Sequence, residues 1–89
     1  MFATFTDWSM DNPEEGVKTA EEIWPEMKAA GAINMCIVKT DDTGARSMTM
    51  WPNETTAMKA IDAMRARGAA KSGSEVVGSA MGTVLAEMD

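Results

Sequence analysis

The side chains best suited to binding lie at one junction, in the segment SMTMWPNETTAMKAI over residues 47–61. Polar and apolar residues alternate up to Trp51, Pro52 breaks the alternation, and the residues after Asn53 have helical spacing. An indole is a large apolar group with one N–H donor, and an asparagine before a helix can cap it. One interpretation is therefore structural: Trp51 closes the end of the core, with its N–H bonded to a carbonyl or water, and Asn53 begins the helix.

Two other candidates for a binding site are Arg46 and Trp8. Arg46 shares a strand face with Met48, and it is the arginine that the pattern allows into a pocket. A place at the hairpin surface, or in a salt bridge across a dimer, is the alternative. Arg65 and Arg67 fall near the end of a helix, where a cation suits the dipole. Trp8 has the same two interpretations, core or site, as the indole at the junction.

Several kinds of chemistry are disfavoured by residues that the sequence lacks. It contains no histidine and no tyrosine, so it lacks the commonest general base, zinc ligand and proximal haem ligand. No glycine-rich segment has the spacing of a phosphate-binding loop. Cys36 is the only cysteine and lies in a strand-like run, which predicts a small buried hydrophobe that forms no intramolecular disulfide. We predict no metal and no cofactor.

Charge and length limit the partners and the organisation of the chain. The 89 residues include 14 acidic and 8 basic ones, for a net charge of −6. A nucleic-acid binder needs a basic surface, so we expect no DNA or RNA partner. The first residues do not resemble a signal peptide, and no apolar run approaches the ~20 residues of a membrane span. We therefore expect no membrane contact, a cytoplasmic location, and one domain over 1–89.

The first half of the chain predicts a strand followed by a helix. Residues 2–8 are rich in Phe, Thr and Trp, which favour strands. Asn12 can cap a helix, and Pro13 fits its first position, where a missing N–H costs nothing. The helical spacing continues to Gly31. We expect Pro25 to bend or loosen the helix, because proline removes one backbone donor.

The second half predicts a hairpin, a helix and a last strand. Residues 32–39 and 45–51 read as strands joined by a loop of about five residues. The helix that follows carries an apolar stripe ending at Gly68, after which the sequence indicates a frayed turn. A fourth strand is predicted within 76–88, with room for a short helical turn opening at Ser74.

The order strand, helix, strand, strand, helix, strand predicts an α+β fold. Two crossovers joined by a hairpin give a ferredoxin-like βαββαβ sandwich, a four-stranded antiparallel sheet with both helices on one face. Apolar residues occur on both sides of the strands, as Met48 and Met50 against Trp51 illustrate. Two helices cover only one face of the sheet, and an exposed apolar face is unusual for a monomer. We predict a homodimer packed sheet against sheet.

The order of elements, the length and the segment MTMWPNETTAMKAI over 48–61 resemble the dimeric α/β barrel superfamily, and most nearly its antibiotic biosynthesis monooxygenase-like branch. The resemblance implies two sheets that close into a barrel across the dimer, and a cavity in each subunit between helices and sheet. The superfamily includes cofactor-free oxygenases, haem-degrading enzymes, isomerases and members without known activity, and the lack of histidine disfavours the haem-degrading role. It also allows a functional interpretation, in which Trp51 and Asn53 line the cavity mouth and orient a flat, oxygen-rich substrate.

Three hypotheses about function follow. In the first, which we favour, a homodimeric α/β-barrel protein of undefined activity binds a small apolar or aromatic molecule without metal or cofactor. In the second, the chain is a cofactor-independent monooxygenase whose phenolic or quinone-like substrate itself reduces oxygen as an anion, positioned by Trp51, Asn53 and Arg46. In the third, the protein is a structural or interaction module whose dimer face is its function.

Overall fold

The fold has two helices and one antiparallel sheet, as the sequence predicts. A computed structural model describes residues 1–88. The elements are β1 (Phe2–Ser9), α1 (Pro13–Ala29), β2 (Asn34–Asp41), β3 (Gly44–Trp51), α2 (Glu54–Ser72) and β4 (Glu75–Thr83). The strands lie in the order β2-β3-β1-β4, and every neighbouring pair is antiparallel. The predicted ferredoxin-like α+β architecture is confirmed. Neither helix has an apolar stretch long enough to cross a membrane.

Helix α1 begins and ends as its sequence indicates. The side chain of Asn12 accepts hydrogen bonds from the backbone N–H groups of Glu14 and Glu15, so the predicted cap is confirmed. At the other end the Ala32 N–H bonds the Met27 carbonyl, which is the pattern of a Schellman motif. That motif requires a left-handed residue, and Gly31 supplies it with φ +110°. The helix continues through Pro25 without interruption.

Helix α2 is longer than the sequence pattern indicates. Asn53 caps it by accepting a hydrogen bond from the Thr56 N–H at 2.8 Å. The predicted end at Gly68 is wrong, because the helix runs on to Ser72 and ends where Gly73 adopts φ +69°. No helical turn opens at Ser74, since β4 begins directly after it.

The strand boundaries also differ from the predicted ones. Strand β2 starts two residues later than expected and extends to Asp41, so the loop to β3 has two residues, not about five. The Asp41 carboxylate accepts a hydrogen bond from the Thr43 N–H at 2.9 Å, which stabilises this tight turn. Strand β4 ends at Thr83, and residues 84–88 are not part of it.

The core lies between the two helices and the inner face of the sheet. Its buried members come from both layers: Phe2, Ile23, Met27, Ala32, Trp51, Ala57, Ala60 and Ile61. The predicted apolar stripe of α2 is therefore confirmed at Ala57 and Ile61. The largest of these residues, Trp51, has 0% of its surface exposed.

The opposite side of the sheet, which we call the outer face, is not covered by either helix. Strand pairing aligns its residues in three rows across the sheet. The middle row is Cys36, Met48, Phe5 and Ala80; the flanking rows are Asn34, Met50, Ala3 and Gly82, and Val38, Arg46, Asp7 and Gly78. Cys36 is exposed on this face. The prediction that it is buried is therefore wrong for the single chain, because neither helix covers this face of β2.

Candidate functional site

Trp51 lies in the core, where its position matches the structural interpretation. Its Nε1–H donates to the Thr4 hydroxyl at 3.0 Å, and both side chains are fully buried. The sequence predicts a carbonyl or water as the acceptor, whereas the acceptor is the hydroxyl of a threonine in β1. Asn53 is exposed and its side-chain oxygen is engaged in capping α2. The structure thus gives both residues of the junction a role in folding.

A recess lies between the helices and the sheet, and we call it the central cavity. Its volume is about 80 Å³, and it is partly open to solvent. Its helix side is mostly apolar, with Ile23, Met27, Ile61 and Met64, and it also carries the polar residues Thr19, Arg65 and Ser72. Its sheet side carries Thr6, Trp8, Ser47 and Thr49. Apolar walls with a few polar groups are typical of sites for small organic molecules.

Trp8 is the sequence-predicted candidate that lines this cavity. Its Nε1–H donates to the Ser47 hydroxyl on the neighbouring strand at 3.0 Å, which fixes the direction of the indole. The ring lies against helix α2 at Gly68, where a Cβ atom would be 3.1 Å from Trp8 Cη2. The glycine in mid-helix therefore permits close approach of the indole and does not end the helix.

Arg65 is a cavity residue that sequence reasoning missed. Its Nε–H donates to the Thr6 hydroxyl at 3.0 Å, and an Nη2–H donates to the Phe5 carbonyl at 3.1 Å. The sequence predicts a place near the end of the helix, where a cation suits the dipole, and not in a pocket. The spacing in the sequence indicates this position, since Arg65 is four residues after Ile61 and so lies on the apolar stripe of the helix.

Arg46 lies on the outer face, on the side of the sheet opposite the cavity. It pairs with Asp7 at 2.7 Å, and its guanidinium carbon is 5.6 Å from the centroid of the Phe5 ring. The hydrogen bond from Arg46 is the main cause that lowers the pKa of the Asp7 carboxyl below its usual range. The same hydrogen bond raises the pKa of Arg46.

The acidic side chains do not form a metal site within residues 1–88, where no three His, Cys, Asp or Glu residues converge as ligands. Glu14 and Glu22 instead pair with lysines at 2.8 Å each, Lys39 on β2 and Lys71 on α2. These hydrogen bonds lower the pKa values of both glutamates. The ion pairs connect α1 to β2 and to the end of α2 at the protein surface.

Comparison with known proteins gives matches among solved structures. No protein-family model matches the sequence, and no curated protein matches it. SnoaB, a cofactor-independent oxygenase from Streptomyces nogalater, has a TM-score of 0.73 at 12% identity, over 98% of this chain and 96% of that chain. A SnoaB variant with one asparagine replaced by alanine gives a TM-score of 0.69 over the same shares. A dimeric ferredoxin-like protein from an uncultured marine organism gives 0.66 at 14% identity, over 100% and 99%.

The chain has the ferredoxin-like fold of these structures. The ferredoxin-like fold that the predicted resemblance implies is therefore confirmed. The same fold carries many activities, so at this level of identity the likeness does not transfer a reaction to this chain.

Proposed function

We propose that the chain is a single-domain, homodimeric protein whose central cavity binds a small apolar or aromatic molecule. The observation that carries the proposal is the cavity itself, with aliphatic walls from two helices and a floor bearing one indole and three hydroxyl groups. Trp8 is the ring on which a flat molecule would pack, because the indole lines the cavity and its N–H is already bonded to Ser47.

The apolar residues on the outer face support the proposal of a dimer. Phe5, Cys36 and Met48 form an apolar row across three strands, and Val38 in the next row is 54% exposed. A second copy covers such a face with the same residues, since a two-fold axis brings like surfaces together. The fold neighbour that is a dimeric ferredoxin-like protein shows that this architecture can assemble as a dimer.

Binding is tested by titrating the protein with 2-naphthol in a calorimeter. Ala20 lines the cavity from α1, so Ala20→Phe fills part of it and should weaken binding at least about tenfold. Ala63 is exposed on α2, so Ala63→Phe is the matched control and should bind as the wild type does. No heat of binding for the wild type, or equal affinities for the two variants, would refute the cavity as the site.

A second candidate function is a cofactor-independent oxygenase. It is favoured by the likeness in fold to SnoaB and by a cavity of apolar and hydroxyl groups that suits a phenolic or quinone-like substrate. In such a reaction an anthrone-type methylene group reduces O₂, so that one oxygen atom ends in a new carbonyl and the other in water. Oxygen uptake with anthrone, lost in Ala20→Phe and kept in Ala63→Phe, would support this activity. Binding of anthrone without oxygen uptake would refute the oxygenase activity and favour a binding protein.

A further inference from the structure

Arg65 differs from four other cationic side chains of the protein, which form ion pairs. Lys39, Arg46, Arg67 and Lys71 each form an ion pair with a carboxylate at 2.6–2.8 Å, and all four side chains are well exposed. Arg65 is half-buried at the cavity, and both of its hydrogen-bond acceptors are neutral. Among residues 1–88 no carboxylate lies within ion-pair distance of it.

A half-buried cation without a counter-charge is costly to place in an apolar recess. Burial removes part of the hydration of the guanidinium, and neutral acceptors replace only part of that loss. The protein carries 14 acidic residues against 8 basic ones, so carboxylates are plentiful, yet none is placed here. An anion that enters the cavity from solution would complete the electrostatics of the site.

The hydrogen bonds of Arg65 leave donors available for such an anion. A guanidinium has five N–H groups, and here Nε–H and one Nη2–H are engaged with Thr6 and the Phe5 carbonyl. The remaining N–H groups on Nη1 and Nη2 can bond two oxygens of one carboxylate, which is the strongest pairing available to arginine. Thr6 is a positioning residue, because its hydroxyl holds the guanidinium against strand β1.

We infer that the ligand of the central cavity is an apolar organic anion, with its charged oxygens on Arg65 and its apolar body between Trp8 and the residues Ile23, Met27 and Met64. This inference deepens the proposed function and rests on it. It names a class of molecule, a flat or compact apolar group bearing a carboxylate or an equivalent oxyanion.

The test compares 2-naphthoate with 2-naphthamide, which has the same ring and nearly the same shape but no charge. Hydrogen bonds to a charged group justify a preference of roughly tenfold to a hundredfold for naphthoate in the wild type. Arg65→Gln should remove that preference, so that the two compounds bind with affinities within about twofold of each other. Arg67→Gln is the matched control, because Arg67 is on the same helix but pairs with Glu26 at the surface, and it should keep the preference.

The outcomes separate the two proposals. If naphthamide and naphthoate bind equally to the wild type, or if Arg65→Gln keeps the preference for naphthoate, the anion subsite is refuted while the cavity remains a binding site. If neither compound nor 2-naphthol binds, the proposed function fails and the inference fails with it. Should Arg65→Gln not fold, Thr6→Val provides the second test: it removes the acceptor that positions Arg65 and should reduce the ratio of naphthoate to naphthamide affinity several-fold.

Discussion

The indole N–H of Trp51 donates to the hydroxyl of Thr4 at 3.0 Å in a part of the core without solvent contact. Thr4→Val keeps the shape of the side chain but leaves the indole N–H without an acceptor. We expect the free energy of unfolding to fall by about 1–3 kcal/mol, the usual penalty for an unpaired buried donor. Chemical denaturation at a fixed protein concentration measures it.

The control for this pair is the same substitution in a Trp51→Phe background. Phenylalanine has no donor, so Thr4→Val should then cost clearly less than it does in the wild type. Affinity for 2-naphthol should not change in Thr4→Val, because neither residue lines the central cavity. A loss of binding with unchanged stability would instead favour the functional interpretation of Trp51.

Periodicity made the fold predictable, because each element has its own hydrophobic repeat and its own end signals. Asn12, Pro13 and Asn53 indicate helix starts by chemistry that is local in sequence, and all three have the predicted role. The end of α2 was not predictable in this way. In the sequence Gly68 indicates the end of the helix. In the structure the reason for a glycine at this position is the close approach of Trp8, a residue sixty positions away.

The cavity was less predictable than the fold, because it depends on which residues of different elements face each other. Strand alternation favours Arg46 over Arg65 as the pocket arginine, yet alternation cannot tell which face of the sheet the helices cover. The structure places the helices over the face of Thr4, Thr6 and Trp8. Because the helices cover that face, Arg46 lies on the outer face and Arg65 lines the cavity.

A charge in the middle row of the outer face should prevent dimer formation. Met48 lies beside Phe5 and Cys36 there, so Met48→Glu would bury a carboxylate in each half of the interface. We expect sedimentation to give a monomer for this variant and a dimer for the wild type. Met58→Glu is the matched control, since Met58 is exposed on α2, and it should remain a dimer. A Met48→Glu dimer, folded by circular dichroism, would rule out the outer face as the interface.

The Asp7–Arg46 pair should give the protein an acid-sensitive component of stability. Arg46 lowers the pKa of Asp7 in the folded state, so folding favours the charged carboxylate. The pair therefore stabilises the protein above the unfolded pKa, about 3.9, and this contribution is lost as the pH falls through the lower folded pKa. Denaturant midpoints between pH 6 and pH 2 should decline less steeply in Arg46→Gln than in the wild type.

The pairs of Glu14 with Lys39 and Glu22 with Lys71 lower carboxyl pKa values as well, so part of the acid sensitivity should survive in Arg46→Gln. Lys39→Gln is therefore a useful comparison, because it removes the contribution of a different ion pair to the loss of stability at low pH. Parallel pH profiles for the wild type and Arg46→Gln would mean that the Asp7 pair makes no acid-sensitive contribution to stability.

Gly68→Ala should destabilise the protein although alanine is the better helix residue. A methyl group at this position would meet Trp8 Cη2 at 3.1 Å, and the hydrogen bond to Ser47 holds the indole in its place. Overpacking costs about 1–3 kcal/mol and alanine returns about 1 kcal/mol in helix propensity, so we expect a net loss of about 1 kcal/mol. Trp8→Phe removes the outer part of the ring, and in that background the same substitution should become stabilising by up to about 1 kcal/mol. Thermal unfolding of the four proteins measures both signs, and a Gly68→Ala variant more stable than the wild type would show that the indole has room to move.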